Sequence, residues 1–242
     1  MIHDLRTILD GWEYEPGKIS VRKIIGRDGR EKIQTRVDLG LLQFETGGRP
    51  DGMRPHGYDS LLDCLESRLR ERERRTGNDG GFCLTPDDCR ELRHEAHLYY
   101  QRYLSFFVLE EYQSVQRDTT RNLRLLDFCH DYAENESDRD ALEPQRAYIM
   151  MMRTRARVYE ALRDAQYETA LKLVDDGIDE VSAVANANSA IYADNEAPEL
   201  QVLATLRDEV MQTLPEHSLP KLQLDLERAL DAEDYEKAAD LR

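Results

Sequence analysis

The sequence predicts a mainly α protein, built of stacked antiparallel helical hairpins with a small N-terminal β-hairpin. Three observations carry that prediction. From Thr85 onward apolar side chains recur at helical spacing, interrupted only by short polar or proline-bearing links. Between Ile19 and Leu42 the spacing changes to an alternation of two around Asp28-Gly29. Finally, 34% charged and 40% apolar residues, with a mean hydropathy of −0.71, describe helices that bury one stripe and solvate the rest.

A chain of 242 residues is long enough to bury a real core, in one large domain or two small ones, and its apolar content excludes disorder throughout. The longest stretch of large apolar side chains, Tyr148–Met152, falls far short of the roughly 20 residues of a membrane span, so no membrane insertion is expected. Met1-Ile2-His3-Asp4-Leu5-Arg6 lacks the basic start and apolar stretch of a signal peptide, so a cytoplasmic location is expected. The four cysteines, Cys64, Cys83, Cys89 and Cys129, are too sparse for a disulfide scaffold and are expected to remain thiols.

Charge is unevenly spread. Residues 1–80 hold 15 basic and 15 acidic side chains, so the whole net charge of −16 falls on residues 81–242. An acidic C-terminal two-thirds repels a phosphate backbone, which disfavours a general nucleic-acid binder unless a local basic patch overrides it. Together with the glycine-rich Thr76–Gly81 linker, this shift divides the chain into residues 1–80, 81–214 and 215–242.

A short helix opens the chain. Ile19–Ile25 and Glu31–Leu42 then read as the two strands of a long hairpin, with Ile33, Thr35, Val37, Leu39 and Leu41 on one face and Trp12–Glu15 as a candidate third strand. Asp28-Gly29 is a hairpin-turn signal, because the favoured two-residue turn needs positive φ at both central positions. Thr46–Gly57 is a loop in which Arg49-Pro50-Asp51-Gly52 is echoed by Arg54-Pro55-His56-Gly57. From Tyr58 to about Arg75 a helix carries Leu61, Leu62, Leu65 and Leu69 on one stripe. Thr85-Pro86-Asp87-Asp88 is an N-cap with proline in the first turn and approximates a capping box.

The helix it opens runs to about Glu111 through Leu92, Tyr99, Tyr103 and Phe106, and a second runs to about Glu134. The aromatic run Tyr99–Phe107 reads as core rather than as a cofactor box. Ser137–Glu143 is a loop, Pro144 opens a third helix to about Arg163, and a fourth runs from Gln166 to Ala187 across Gly177. Asp194–Pro198 breaks the chain before a helix bearing Leu200, Leu203, Leu206 and Val210. Pro215 and Pro220 bracket a last linker to a helical hairpin, Leu219–Leu230 and Tyr235–Arg242.

Ala161-Leu162, then Tyr167-Glu168-x-Ala170, resembles the turn of a tetratricopeptide hairpin, with an aromatic residue opening the second helix and a small one three later. The same arrangement recurs as Ala229-Leu230, then Tyr235-Glu236-x-Ala238. That second copy lies in the sequence Leu226-Glu227-Arg228-Ala229-Leu230, an acidic loop ending in Asp234, and Tyr235-Glu236-Lys237-Ala238-Ala239-Asp240-Leu241-Arg242. It resembles the UVR motif, the helical hairpin of the bacterial excinuclease B and C subunits and of Clp protease regulators. Tyr235, Ala238 and Ala239 share one helical face, where small residues permit close helix approach.

The resemblance implies a non-enzymatic protein–protein function linked to nucleotide excision repair or Clp protease regulation. Leu226, Leu230, Tyr235, Ala238, Ala239, Leu241 and Arg242 would contact a partner hairpin, either another protein's or that of a second copy in a homodimer.

Two other constellations stand beside the tail. The ribbon from Lys18 to Arg36 carries seven basic residues, among them Arg22, Lys23, Arg27, Arg30, Lys32 and Arg36, against Asp28 and Glu31. Such a ribbon tracks phosphates, which is the alternative function for the chain, or else solvates an exposed edge and docks on acidic helices. In the Arg-Pro-x-Gly loop, Arg49, Arg54 and His56 form either an anion pocket or a rigid connector. His94, His97, Cys83, Cys89 and the Cys129-His130 pair lack the spacing of a zinc site. No catalytic set, metal site or cofactor is expected.

Overall fold

In the computed structural model, residues 4–187 and 197–215 are described, together with Ser218, Lys221, Leu222, Leu226, Ala229, Leu230, Tyr235 and Glu236. The fold is mainly helical with a small N-terminal sheet, as the sequence predicts. A one-turn helix α1 (Arg6–Leu9) precedes β1 (Ser20–Ile25), β2 (Glu31–Val37) and β3 (Gly40–Glu45). Then follow α2 (Leu61–Thr76), α3 (Pro86–Val108), α4 (Tyr112–Tyr132), the short α5 (Glu136–Asp140), α6 (Arg146–Arg163), α7 (Tyr167–Ala187) and α8 (Pro198–Thr213). Among the described residues no helix is long and apolar enough to cross a membrane. The chain divides into two compact units, Met1–Ile149 and Met150–Arg242, with the division inside α6 and the Thr76–Gly81 linker inside the first unit.

In the first unit the strands form an antiparallel meander in the order β1-β2-β3. The stretch Glu31–Leu42, expected to be one strand, is broken at Asp38-Leu39, where Val37 pairs with Gly40. Arg36 holds that reversal: its Nη1 donates to the carbonyls of Val37, Asp38 (3.0 Å) and Gly40 (2.7 Å). The reversal shifts the facing by one residue. Leu42 and Phe44 pair with Thr35 and Ile33 and join their face, while Leu39 is 89% exposed in the turn. Trp12–Glu15 is not a strand; Trp12 donates through Nε1 to Ser20 Oγ (2.6 Å) and lies under the Arg22 guanidinium.

The first turn also differs from expectation. Only Gly29 takes positive φ (76°), and the connection spans residues 26–30, closed by Gly26 N donating to Arg30 O (2.7 Å). The sheet meets α3 through β1 and β2, with Ile33 and Phe44 buried and the Thr35 and Ser105 hydroxyls 2.6 Å apart.

α3 and α4 form the central antiparallel hairpin. Thr85 caps α3 in a full capping box with Asp88, as its sequence predicts. Leu92, Ala96, Tyr99, Tyr103 and Phe106 of α3 are buried, as are Val115, Leu125, Leu126 and Cys129 of α4. The α3–α4 turn is a Schellman motif: Glu110 N donates to Phe107 O (3.1 Å), Glu111 N donates to Phe106 O (2.9 Å), and Glu110 itself has φ 59°.

In the second unit the α6–α7 turn repeats that geometry. Ala165 N donates to Leu162 O (3.0 Å), Gln166 N donates to Ala161 O (2.8 Å), and Ala165 has φ 56°. Gly177 is required where α7 crosses α6, because a side chain there would run into Thr154. Val174 and Val181 of α7 and Leu203, Leu206 and Val210 of α8 are buried as the two helices pack together.

Candidate functional site

Of the tail residues expected to meet a partner, Leu226, Leu230 and Tyr235 are described and all three are helical. Leu230 is 48% exposed and Tyr235 68% exposed, whereas the neighbouring Ala229 is buried. Ala238, Ala239, Leu241 and Arg242 lie outside the described residues. At the matching sequence Ala161–Ala170, Ala161 and Ala170 are buried on either side of the Ala165 turn, and Tyr167 begins the second helix.

The basic ribbon is largely occupied by its own surroundings. Lys23 pairs with Glu31 (2.9 Å) and Glu111, Arg30 with Asp28 (2.9 Å), and Lys32, almost buried, with Asp28 (3.1 Å) and Glu45. Those contacts raise the Lys23 and Lys32 pKa values, the carboxylate of Glu111 acting most strongly on the first and that of Glu45 on the second. Arg22 donates from Nε to Gln34 Oε1 (2.9 Å) and from Nη2 to Ile8 O (2.9 Å), and Gln34 donates onward to Gln43 Oε1. Arg36 donates to Trp12 O (3.1 Å) besides its turn carbonyls. Arg27, in the turn, is exposed and has no partner among the described contacts.

The Arg-Pro-x-Gly loop sends its residues in different directions. Arg54 lies outside, 2.9 Å from Asp59, and His56 is exposed at φ 51°. Arg49 turns inward, with Nε 3.1 Å from Asp51 and Nη1 3.4 Å from Glu95. Arg49 and Arg54 do share a cavity of about 230 Å³, but Arg30, Glu45 and Asp59 line it too, giving it both signs of charge. His56 does not line it.

The loop is anchored by a buried polar network that the sequence reading does not identify. Glu95, fully buried on α3, accepts from Leu61 N (2.8 Å) and Leu62 N (3.2 Å), the first two amides of α2, and from Arg121. Ser60 Oγ accepts from Asp63 N (3.1 Å), so the α2 N-terminus is satisfied from its own cap and from another helix. Arg102 makes a bidentate pair with Asp118 (2.7 and 2.9 Å) and donates to Glu45 O (3.0 Å) and Gly48 O (2.8 Å). Tyr99 lies against both guanidiniums, 4.7 Å from Arg102 and 4.1 Å from Arg121, and donates to Gly48 O (3.2 Å). A charged residue inside an apolar stripe is the sequence signal: Glu95 and Arg102 stand at helical spacing with Leu92, Tyr99 and Phe106.

Cys64, Cys89 and Cys129 are buried thiols and Cys83 is exposed. Burial pushes Cys89 up to about 11 and Cys129 up to about 12, so neither is a nucleophile near neutrality. Among the described residues no group of three or more His, Cys, Asp or Glu side chains is placed to hold a metal ion. Comparison of the chain with protein-family models, with curated proteins and with solved structures finds no match.

Proposed function

We propose that the chain is a non-enzymatic interaction module of the cytoplasm whose C-terminal helical hairpin docks on a partner hairpin of the same kind. The observation that carries this reading is the exposure of Leu230 (48%) and Tyr235 (68%) on helical backbone beside buried Ala229. Large apolar side chains displayed on helical backbone are what a second hairpin covers, and aromatic anchors dominate the energetics of such contacts. The resemblance to the UVR motif gives the partner class: excision-repair subunits, a Clp-type protease assembly, or a second copy of the chain.

The test is affinity capture from nuclease-treated extract of the native host with three baits: the intact chain, a chain ending at Leu214, and the double variant Leu230→Asp, Tyr235→Asp. The expected result is a discrete partner that itself carries such a hairpin and is lost with both altered baits. Sedimentation of the purified chain tests the second copy. Retention of the same partners by both altered baits, with no change in oligomeric state, overturns the proposal.

A further inference from the structure

The first unit contains a cavity of about 330 Å³ that the interaction function leaves unused, within the size range of small-ligand sites. Its walls are mainly aromatic: His97, Tyr100 and Tyr103 from α3, and Tyr148 from the start of α6, with Gln145 at the edge. Tyr100 is the hub, its ring centroid lying 5.5 Å from Tyr103 at 90°, 6.1 Å from Tyr148 at 58° and 5.9 Å from His97 at 27°. His97 is exposed and Tyr100 and Tyr148 are half-buried, so three of the four rings keep surface open around the space they line. Tyr103 is 1% exposed, and burial raises its pKa far above the ordinary phenol value, so this wall stays neutral.

We propose that this cavity binds a quaternary ammonium group. Aromatic faces attract cations through the negative face of the ring quadrupole. Elsewhere in the same unit that attraction is used internally: arginines lie over Trp12, Tyr14, Tyr99 and Phe106. No lysine, arginine, aspartate or glutamate is among the described residues lining the Tyr100 cavity; its one basic side chain, His97, has Nε2 3.0 Å from the Gln101 amide nitrogen. The acidic remainder of the chain favours arrival of positive ligands over negative ones.

The missing carboxylate selects among cations. A primary ammonium or a metal ion is strongly hydrated and gives up its water only for charged or hard oxygen ligands. A trimethylammonium group is weakly hydrated and presents methyls to ring faces, so it enters without a counter-charge. The group can be part of a free choline-like molecule or of a trimethylated lysine side chain.

Calorimetric titration of the full chain tests this with choline chloride and with its neutral isostere, in which tert-butyl replaces trimethylammonium, at matched ionic strength. A parallel arm compares short peptides carrying trimethyllysine or lysine. Choline or the trimethylated peptide should bind at least about tenfold tighter than its comparator, or about 1.4 kcal/mol. Preference for choline identifies a free ligand, and preference for the peptide a protein-borne one. Tyr100→Leu should abolish binding, whereas Tyr100→Phe, which keeps the ring, should stay within about threefold of the parent. Equal affinity for charged and neutral isosteres, no heat with either cation, or loss in Tyr100→Phe as complete as in Tyr100→Leu overturns the proposal.

Discussion

Replacing Glu95 should damage the first unit more than replacing any exposed acid on the same helix. The carboxylate is fully buried and accepts hydrogen bonds from three groups at once, Arg121 and the amides of Leu61 and Leu62, with Arg49 Nη1 a further ion-pair partner at 3.4 Å. Glu95→Ala strands the Arg121 charge, an effect of about 3–5 kcal/mol for a broken buried pair. It also orphans two helix-terminal amides, each costing about 1–3 kcal/mol when left unpaired, although water entering the vacated space recovers part of that. A loss of about 4–6 kcal/mol is expected against a domain stability of about 5–15 kcal/mol, which leaves the unit marginal. Glu95→Gln keeps the shape and one carbonyl acceptor and should lose about 2–3 kcal/mol.

Urea unfolding of the full chain, followed by far-ultraviolet circular dichroism, measures both variants. Glu91→Ala, an exposed acid one turn earlier, is the reference and should change stability by less than about 0.5 kcal/mol. A Glu95→Ala loss no larger than that of Glu91→Ala would refute the reasoning.

Other outcomes follow from single features. Glu110→Gly and Ala165→Gly should each stabilise the chain by about 1 kcal/mol in the same urea assay, because both side chains occupy left-handed backbone. Gly177→Val should lower stability by about 1–3 kcal/mol or more, since its side chain meets Thr154, which is itself buried. A disulfide exchange reagent at neutral pH should titrate Cys83 quickly and Cys64, Cys89 and Cys129 only on unfolding. Burial raises Cys89 from 9.0 to about 11, Cys129 from 9.0 to about 12 and Tyr99 from 10.0 to about 12. In that window the native chain retains protons that the unfolded chain has released. Their contribution to stability is therefore full below about pH 9 and declines as pH rises towards 12, which melting curves across that range should show.

The long helices were legible from signals of their own, such as the capping box at Thr85, the leucine stripe of α2 and the proline that opens α8, whereas the five-residue α5 overlaps the Ser137–Glu143 stretch that reads as a loop. The strands were legible less completely. Alternation continues unbroken from Ile33 to Leu41 in the sequence, so nothing local reveals a reversal at Asp38-Leu39. The reversal depends on Arg36 gathering three carbonyls, a contact that exists only after the chain has turned. Local pattern reports which residues prefer an extended backbone, and tertiary hydrogen bonds decide where the extension ends.

The same division applies to the charged residues. Read along the chain, Arg22, Lys32, Arg36 and Arg49 are a basic ribbon and a basic loop, which suggests an anionic ligand. In the fold Lys32 is held by Asp28 and Glu45, and Arg49 points towards Asp51 and Glu95, so carboxylates of the chain itself occupy both. Arg22 and Arg36 hold the sheet's outer face against Trp12 and the carbonyls around it. A cation in sequence becomes a ligand site only when folding leaves it without a partner, and partners contributed from distant positions, as Glu95 is, cannot be seen by spacing. Among the ribbon's described contacts that leaves Arg27 alone, so reversing its charge is the cleanest way to ask whether the ribbon meets nucleic acid. Arg27→Glu should leave the fold intact, and if the ribbon tracks phosphates it should weaken salt-sensitive binding and flatten its salt dependence by about one phosphate contact. An unchanged salt slope, or no binding in the parent, assigns the ribbon to holding the sheet together.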